Sequence, residues 1–232
     1  MDGPHYLTRM EINPRRRAAR RYLGSPQVMH AAVEAAFPAS SAGERRLWRI
    51  DRVGEGVWLY LTSASRPDLT HVVEEIGRPA TQGWETKDYV PFLDRLAAGQ
   101  VWAFRLTANP THSGRRSRDS ADTQRFGHLT ATQQEEWLGS RLEGWGARCA
   151  GTAQDPGDED GSTPFSFAVV GREVVQFSHQ GAGTGRRRVT LTRTSYEGAL
   201  EVVDPQTLRS ALVNGMGHAK AYGCGLMTLA RP

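Results

Sequence analysis

Hydrophobic periodicity switches between strand and helix in one fixed order in this chain, and it does so twice. Few folds accept that order. Tyr6 to Asn13 alternates as a strand, and Ser25 stands where it can cap a helix opening at Pro26. That helix carries Val28, Met29, Ala32, Val33, Ala36 and Phe37 on its apolar side. Arg45 to Val53 and Val57 to Ser63 read as paired strands around Gly54-Glu55-Gly56. Pro67 to Ile76 follows as a helix with Leu69, Val72, Val73 and Ile76 at helical spacing, and a short strand near Gly83 to Asp88 closes the series.

The second half repeats the order. Trp102, Phe104 and Leu106 alternate along a strand from Val101 to Asn109. A helix begins at about Thr132, with Thr132 and Glu135 at capping-box spacing and Trp137, Leu138 and Leu142 behind them. Phe165 to Ser178 and Arg187 to Val203 supply strands, Pro205 to Asn214 a helix, and Leu226 to Ala230 the last strand. Each half therefore reads βαββαβ. The expected fold class is α+β, built from tandem ferredoxin-like units and ending in a glycine-rich loop. The expected domains are residues 1–95 and 96–232, and a chain of 232 residues is long enough to bury the cores they need. Two polar stretches, Thr111 to Thr123 and Thr152 to Thr163, read as surface loops.

Several function classes are disfavoured. No apolar run approaches the roughly 18 residues that cross a bilayer, and Met1 to Tyr6 lacks a basic-then-apolar leader pattern. The two cysteines, Cys149 and Cys224, form neither a disulfide framework nor a zinc-ligand spacing. A cytoplasmic protein with no cofactor, no metal and no membrane partner is expected. No Gly-x-Ser-x-Gly nucleophile motif or dense carboxylate cluster is present.

Charge distribution points towards a polyanion. Residues 15–21 carry +5 and residues 172–193 carry +4 in a chain whose formal net charge is +4, which leaves the remainder at −5. Arg17, Arg20 and Arg21 belong to the first cluster; Arg186, Arg187, Arg188 and Arg193 belong to the second. Concentrated positive charge is the footprint of a nucleic-acid binder. Solvated surface arginines are the plainer reading of either run alone. Near the C-terminus, Gly215, Gly217, Gly223 and Gly225 surround Lys220. Successive backbone N–H groups in such a loop can form a concavity for anionic oxygens, although glycines also punctuate ordinary turns. Among the seven histidines, His30 stands directly after the first arginine cluster, on one helix face with Gln27 and Glu34. Histidine changes charge near neutrality and can pass a proton to or from an RNA hydroxyl. A structural histidine is the alternative.

The C-terminal wording Gly215-x-Gly217-x-x-Lys220-x-x-Gly223-x-Gly225-Leu226 resembles the CasE family of CRISPR RNA-processing endoribonucleases, within the RAMP superfamily. The likeness extends through Tyr6-Leu7-Thr8-Arg9, Asn13-Pro14, the arginines to Arg21, His30, Asn109-Pro110 and Leu200 to Pro205. It implies a metal-independent endoribonuclease that cuts CRISPR repeat RNA at the base of its stem-loop. The 2′-hydroxyl would attack, leaving a 2′,3′-cyclic phosphate and a 5′-hydroxyl, and the protein would stay bound as a subunit of Cascade beside the other Cascade subunits. The family's catalytic histidine falls on His30, and its helper tyrosine falls on Gln27, which cannot supply a proton as a phenol can. The resemblance also places Gly181 to Arg193 in a basic hairpin against the RNA stem. Two other classes remain open: a RAMP-type protein that binds guide RNA without cutting, and an assembly subunit using exposed Trp84 and Trp145.

Overall fold

A computed structural model describes residues 3–41, 43–80, 83–115, 123–150, 166–180 and 186–232. Strand β1 (Tyr6–Ile12) turns Thr8, Met10 and Ile12 to one face, all buried. The strand period of two puts them on the side that two connections then cover. The first connection is α1 (Arg17–Gly24) and α2 (Pro26–Ala35); the second, after β2 (Leu47–Val53) and β3 (Gly56–Ser63), is α3 (Thr70–Ile76), followed by β4 (Trp84–Asp88). These strands form an antiparallel sheet in the order β2-β3-β1-β4. Its core joins Met10, Ile12, Trp48, Leu59 and Leu61 to Ala19 and Tyr22 of α1, Met29 and Val33 of α2 and Ile76 of α3. Each fully buried aliphatic side chain there contributes about 1.5–3 kcal/mol.

A turn of helix, α4 (Val90–Leu93), leads to β5 (Val101–Ala108) and the hairpin β6 (Thr111–Arg115) and β7 (Thr123–Gly127). Then come α5 (Ala131–Leu142), β8 (Ala147–Cys149), β9 (Phe167–Gln180), β10 (Arg186–Val202), α6 (Pro205–Asn214) and β11 (Met227–Ala230). The second sheet runs β11-β5-β10-β8, with β9 also pairing β10. With β9 and β8 sharing the outer place, this repeats the strand order of the first sheet, so the fold is the tandem ferredoxin-like arrangement expected. Strand β10 is the long member. Thr194–Glu201 pairs with β5, whereas Arg186–Gly198 pairs with β9. The far ends of β9 and β10 therefore leave the sheet as a two-stranded hairpin.

Arg49 of β2 locks the two sheets together. Its side chain is buried beside Asp51 and uses all five guanidinium donors. Nε and Nη2 bind the two Asp51 oxygens at 2.7 Å each, Nη1 donates to the carbonyls of Arg105 (2.7 Å) and Leu226 (2.8 Å), and Nη2 also donates to Thr228 Oγ1 (2.8 Å). Removing such a partner strands a buried charge and costs about 3–5 kcal/mol.

Several sequence expectations shift. The second strand starts at Leu47 rather than Arg45. Helix α3 starts at Thr70 rather than Pro67, because Asp68 takes the backbone N–H of Thr70 (3.0 Å) and its hydroxyl (2.6 Å) in a local turn. Helix α5 starts at Ala131, and its capping box is Thr130 with Gln133, not Thr132 with Glu135. The ends of Thr111 to Thr123, expected as a loop, pair as β6–β7, while residues 152–163 fall outside the described ones. Trp84 and Trp145 are not exposed anchors: each is partly buried against a core, Trp84 the first and Trp145 the second. Among the described residues no helix is long and apolar enough to cross a membrane.

Candidate active site at the glycine-rich loop

Ser25 caps α2 by accepting from the Val28 N–H (3.4 Å), with Pro26 in the first turn, as the sequence led us to expect. Burial of Met29, Ala32 and Val33 fixes the rotation of α2 and leaves Gln27, His30 and Glu34 half-exposed on the other side. His30 Nδ1 is 3.9 Å from Glu34 Oε1, too long for a hydrogen bond. Glu34 is in turn held by the guanidinium of buried Arg46, whose Nη2 also donates to the Ser41 carbonyl and hydroxyl at 2.7 Å each. The histidine thus sits beside an anchored carboxylate that does not restrain it directly.

The glycine-rich loop reaches the same place from the other end of the chain. Asp204 caps α6 through the N–H groups of Gln206 (2.9 Å) and Thr207 (3.2 Å). After α6 the chain takes positive φ at Gly215, Gly217, Ala219, Gly223 and Gly225, with values from +62° to +90°. The loop is closed by the Met216 N–H donating to the Gly225 carbonyl (2.9 Å). It is tied to β5 by the Gly225 N–H donating to the Thr107 carbonyl (2.7 Å). Gly223 shows why the sequence matters here: a Cβ at this residue would stand 2.7 Å from the Trp48 ring. Only glycine permits both the φ of +78° and that approach.

The 3-10 turn Lys220–Tyr222 consequently packs on α2 and β2. The Tyr222 ring meets the His30 ring at 6.4 Å between centroids and 67° between planes, and its other neighbour is Phe177 of β9 at 4.7 Å. Lys220 is half-buried, and burial, followed by the charge of Arg45, pulls its ammonium below the ordinary lysine range. Three segments distant in sequence therefore converge: α2 with its imidazole, the glycine-rich loop with the Lys220 cation, and β9 with Phe177. Such a set can move a proton and hold a phosphate. Among the described residues no three His, Cys, Asp or Glu side chains converge as a metal site.

The other expected residues divide. On α1, Ala19 and Tyr22 are buried while Arg17, Arg20 and Arg21 face solvent. The helix is pinned by the Arg16 guanidinium on the Glu74 carbonyl and by the Tyr22 hydroxyl on Glu75 (2.8 Å). Burial and that acceptor push the Tyr22 phenol up to about 12. Arg186, Arg187 and Arg188 oppose Gln180, His179 and Ser178 near the end of the projecting hairpin; their side chains lie outside the described residues. Arg193 is half-buried, 3.4 Å from Glu173, and contacts the Cys224 thiol. Sequence reasoning missed Tyr222, Phe177 and the Glu34–Arg46 pair.

The profile of the family described as CRISPR associated protein matches residues 5–231. The chain belongs to this family. It is similar to the CRISPR-associated endoribonuclease Cse3 of Thermus thermophilus, with 31% identity over 97% of this chain and 99% of the relative. Its structure is similar to that of Thermus thermophilus Cse3 bound to an RNA representing a pre-cleavage complex, at 28% identity and a TM-score of 0.75 over 98% of this chain and 99% of that one. It is also similar to a chain of a pre-nicking CRISPR RNA-guided surveillance complex, at 26% identity and a TM-score of 0.64 over 98% of this chain and all of that one (100%).

Proposed function

We propose that this protein is an endoribonuclease that cuts CRISPR repeat transcripts at the base of the stem-loop, stays on the product and serves as a subunit of the surveillance complex. The observation that carries this is the meeting of His30 with the Lys220–Tyr222 turn. Relatives named as an endoribonuclease, or solved with RNA and in an RNA-guided complex, support the substrate class.

The reaction needs no nucleophile from the protein. The RNA 2′-oxygen attacks the adjacent phosphorus as its proton leaves, and the bond to the 5′-oxygen breaks as that oxygen gains a proton. The products are a 2′,3′-cyclic phosphate and a 5′-hydroxyl. His30 is the proton-transfer group. Lys220 and the loop N–H groups stabilise the charge that builds on the phosphate oxygens. Tyr222, braced by Phe177, holds the imidazole ring in place. Arg17, Arg20 and Arg21 on α1 and the basic hairpin neutralise phosphates along the stem.

The test is incubation of a repeat RNA with the protein in EDTA, followed by analysis of both new ends. Cyclic phosphate and 5′-hydroxyl ends are expected. Cleavage that requires magnesium, or that leaves a 5′-phosphate, would refute the mechanism. Tight binding without cleavage would leave a guide-RNA-binding subunit instead.

A further inference from the structure

A cavity of about 350 Å³ opens between the two sheets, walled by the end of α1, β2, β5, β9 and β10. Four arginines line it, Arg52, Arg105, Arg172 and Arg193, against one carboxylate, Glu173. Two of the guanidinium groups are incompletely satisfied. The Nε–H groups of Arg105 and Arg193 are buried without a hydrogen-bond acceptor among the described residues. Arg105 does have acidic neighbours: its Nη1 lies 3.0 Å from Glu197, and its Nε lies 3.5 Å from the Asp51 Oδ1 that also accepts from Arg49, an ion-pair contact rather than a formed hydrogen bond. Arg52 is exposed and has no ion pair among the described residues.

Buried donors left unpaired are costly, and a charged oxygen acceptor offsets that cost best. The opposite wall is apolar, formed by Ile50 and Val170. The volume lies at the small end of ligand cavities, too small for a helical stem. Arginine planes and an apolar wall suit one unstacked base with its phosphate. The cavity also adjoins the candidate active site: Arg193 contacts Cys224, two residues beyond Tyr222 in the loop.

We infer that this cavity receives one nucleotide of the single-stranded RNA flanking the stem, with its phosphate among Arg52, Arg105, Arg172 and Arg193 and its base against Ile50 and Val170. The inference rests on the endoribonuclease reading and adds a subsite to it. Recognition is then divided. The stem is held by the exposed arginines and the loop, and the flank is held between the sheets. The cavity anchors the strand on which the scissile phosphate lies.

The experiment compares two RNAs, a bare repeat stem-loop and the same stem-loop with single-stranded flanks. Both carry a 2′-deoxy nucleotide upstream of the scissile bond so that binding is read without cleavage. The protein variants are Gly171→Leu and the double change Arg52→Ala with Arg172→Ala. A Cβ at Gly171 would stand 3.7 Å from Ser195 Cβ, in ordinary contact, and the longer side chain extends into the cavity that both residues line. The arginine pair is exposed and outside both cores, and its removal gives up the Arg172 bond to the Leu129 carbonyl; a melting curve of the double variant checks that the fold is retained. Each variant should lose about tenfold or more in affinity for the flanked RNA, as for one stacked base, and stay within about twofold of wild type on the bare stem-loop. Equal losses on both RNAs, or none on either, would overturn the inference while leaving the endoribonuclease reading standing. Failure of the wild-type protein to bind either RNA would refute that reading and the subsite together.

Discussion

Gly223→Ala tests whether the glycine loop is built by fit rather than by flexibility. Position 223 has φ +78°, and the added Cβ would sit 2.7, 2.9 and 3.1 Å from three atoms of the Trp48 ring. That ring is 1% exposed in the first core and has nowhere to move. The left-handed backbone costs an L-residue about 1–2 kcal/mol, and overpacking a filled core adds about 1–3 kcal/mol. Gly99 supplies the control: its φ is +80°, and a Cβ there meets nothing within 4 Å. Gly99→Ala should therefore cost about 1–2 kcal/mol and Gly223→Ala about 2–5 kcal/mol. At about 2–4 °C per kcal/mol for a chain of this size, the second variant should melt roughly 4–20 °C below wild type. Thermal unfolding gives this directly. Single-turnover cleavage, measured well below both transitions, should fall for Gly223→Ala alone, because the Lys220–Tyr222 turn is displaced from α2. Equal melting losses for the two variants, or wild-type cleavage by Gly223→Ala, would refute the reasoning.

Tyr222→Ala should slow cleavage about 2- to 10-fold, the worth of an aromatic contact, with RNA affinity unchanged; Tyr222→Phe should restore the rate, and a rate lost in both variants would assign the role to the hydroxyl instead. Replacing Arg186, Arg187 and Arg188 together by alanine should weaken stem-loop binding and flatten its salt dependence by about one counterion per lost phosphate contact; an unchanged slope would place this run away from the RNA. Burial pushes the Cys224 thiol up to about 11. Its contribution to stability is therefore present below the ordinary thiol value of 9.0 and is lost as pH rises towards 11. Melting temperatures across that window should fall more steeply for wild type than for Cys224→Ala, and Cys224 should resist maleimide at pH 8 until the protein is unfolded.

Much of this was legible because burial leaves a period. Thr8, Met10 and Ile12 alternate, so the first strand followed from spacing; α1 did not, although Ala19 and Tyr22 stand one turn apart and their burial is what turns Arg17, Arg20 and Arg21 outward. The capping box of α5 was misplaced because Thr130 with Gln133 and Thr132 with Glu135 satisfy the same pattern; the Leu129 and Thr130 N–H groups reaching Gln133 Oε1 (3.2 and 3.4 Å) decide between them. The β6–β7 hairpin is polar and read as a loop, yet His112 and Phe126 stack across it at 5.9 Å. The His30–Tyr222 contact left no local trace. It depends on positive φ at Ala219 and Gly223 and on the loop's approach to Trp48, which no periodicity encodes. Arg49 and Asp51, two residues apart on one face of β2, carried a readable signal of pairing, but not of the carbonyls of Arg105 and Leu226 that complete the lock.

The most direct test of the proposed chemistry is the single-turnover cleavage rate of His30→Ala on repeat RNA, with protein in excess and EDTA present. The rate should fall by about 10²–10⁴-fold, the contribution of a general acid–base group, while the dissociation constant for the RNA stays that of wild type. An unchanged rate would mean that His30 only packs against Tyr222, and that the proton transfer belongs to another residue.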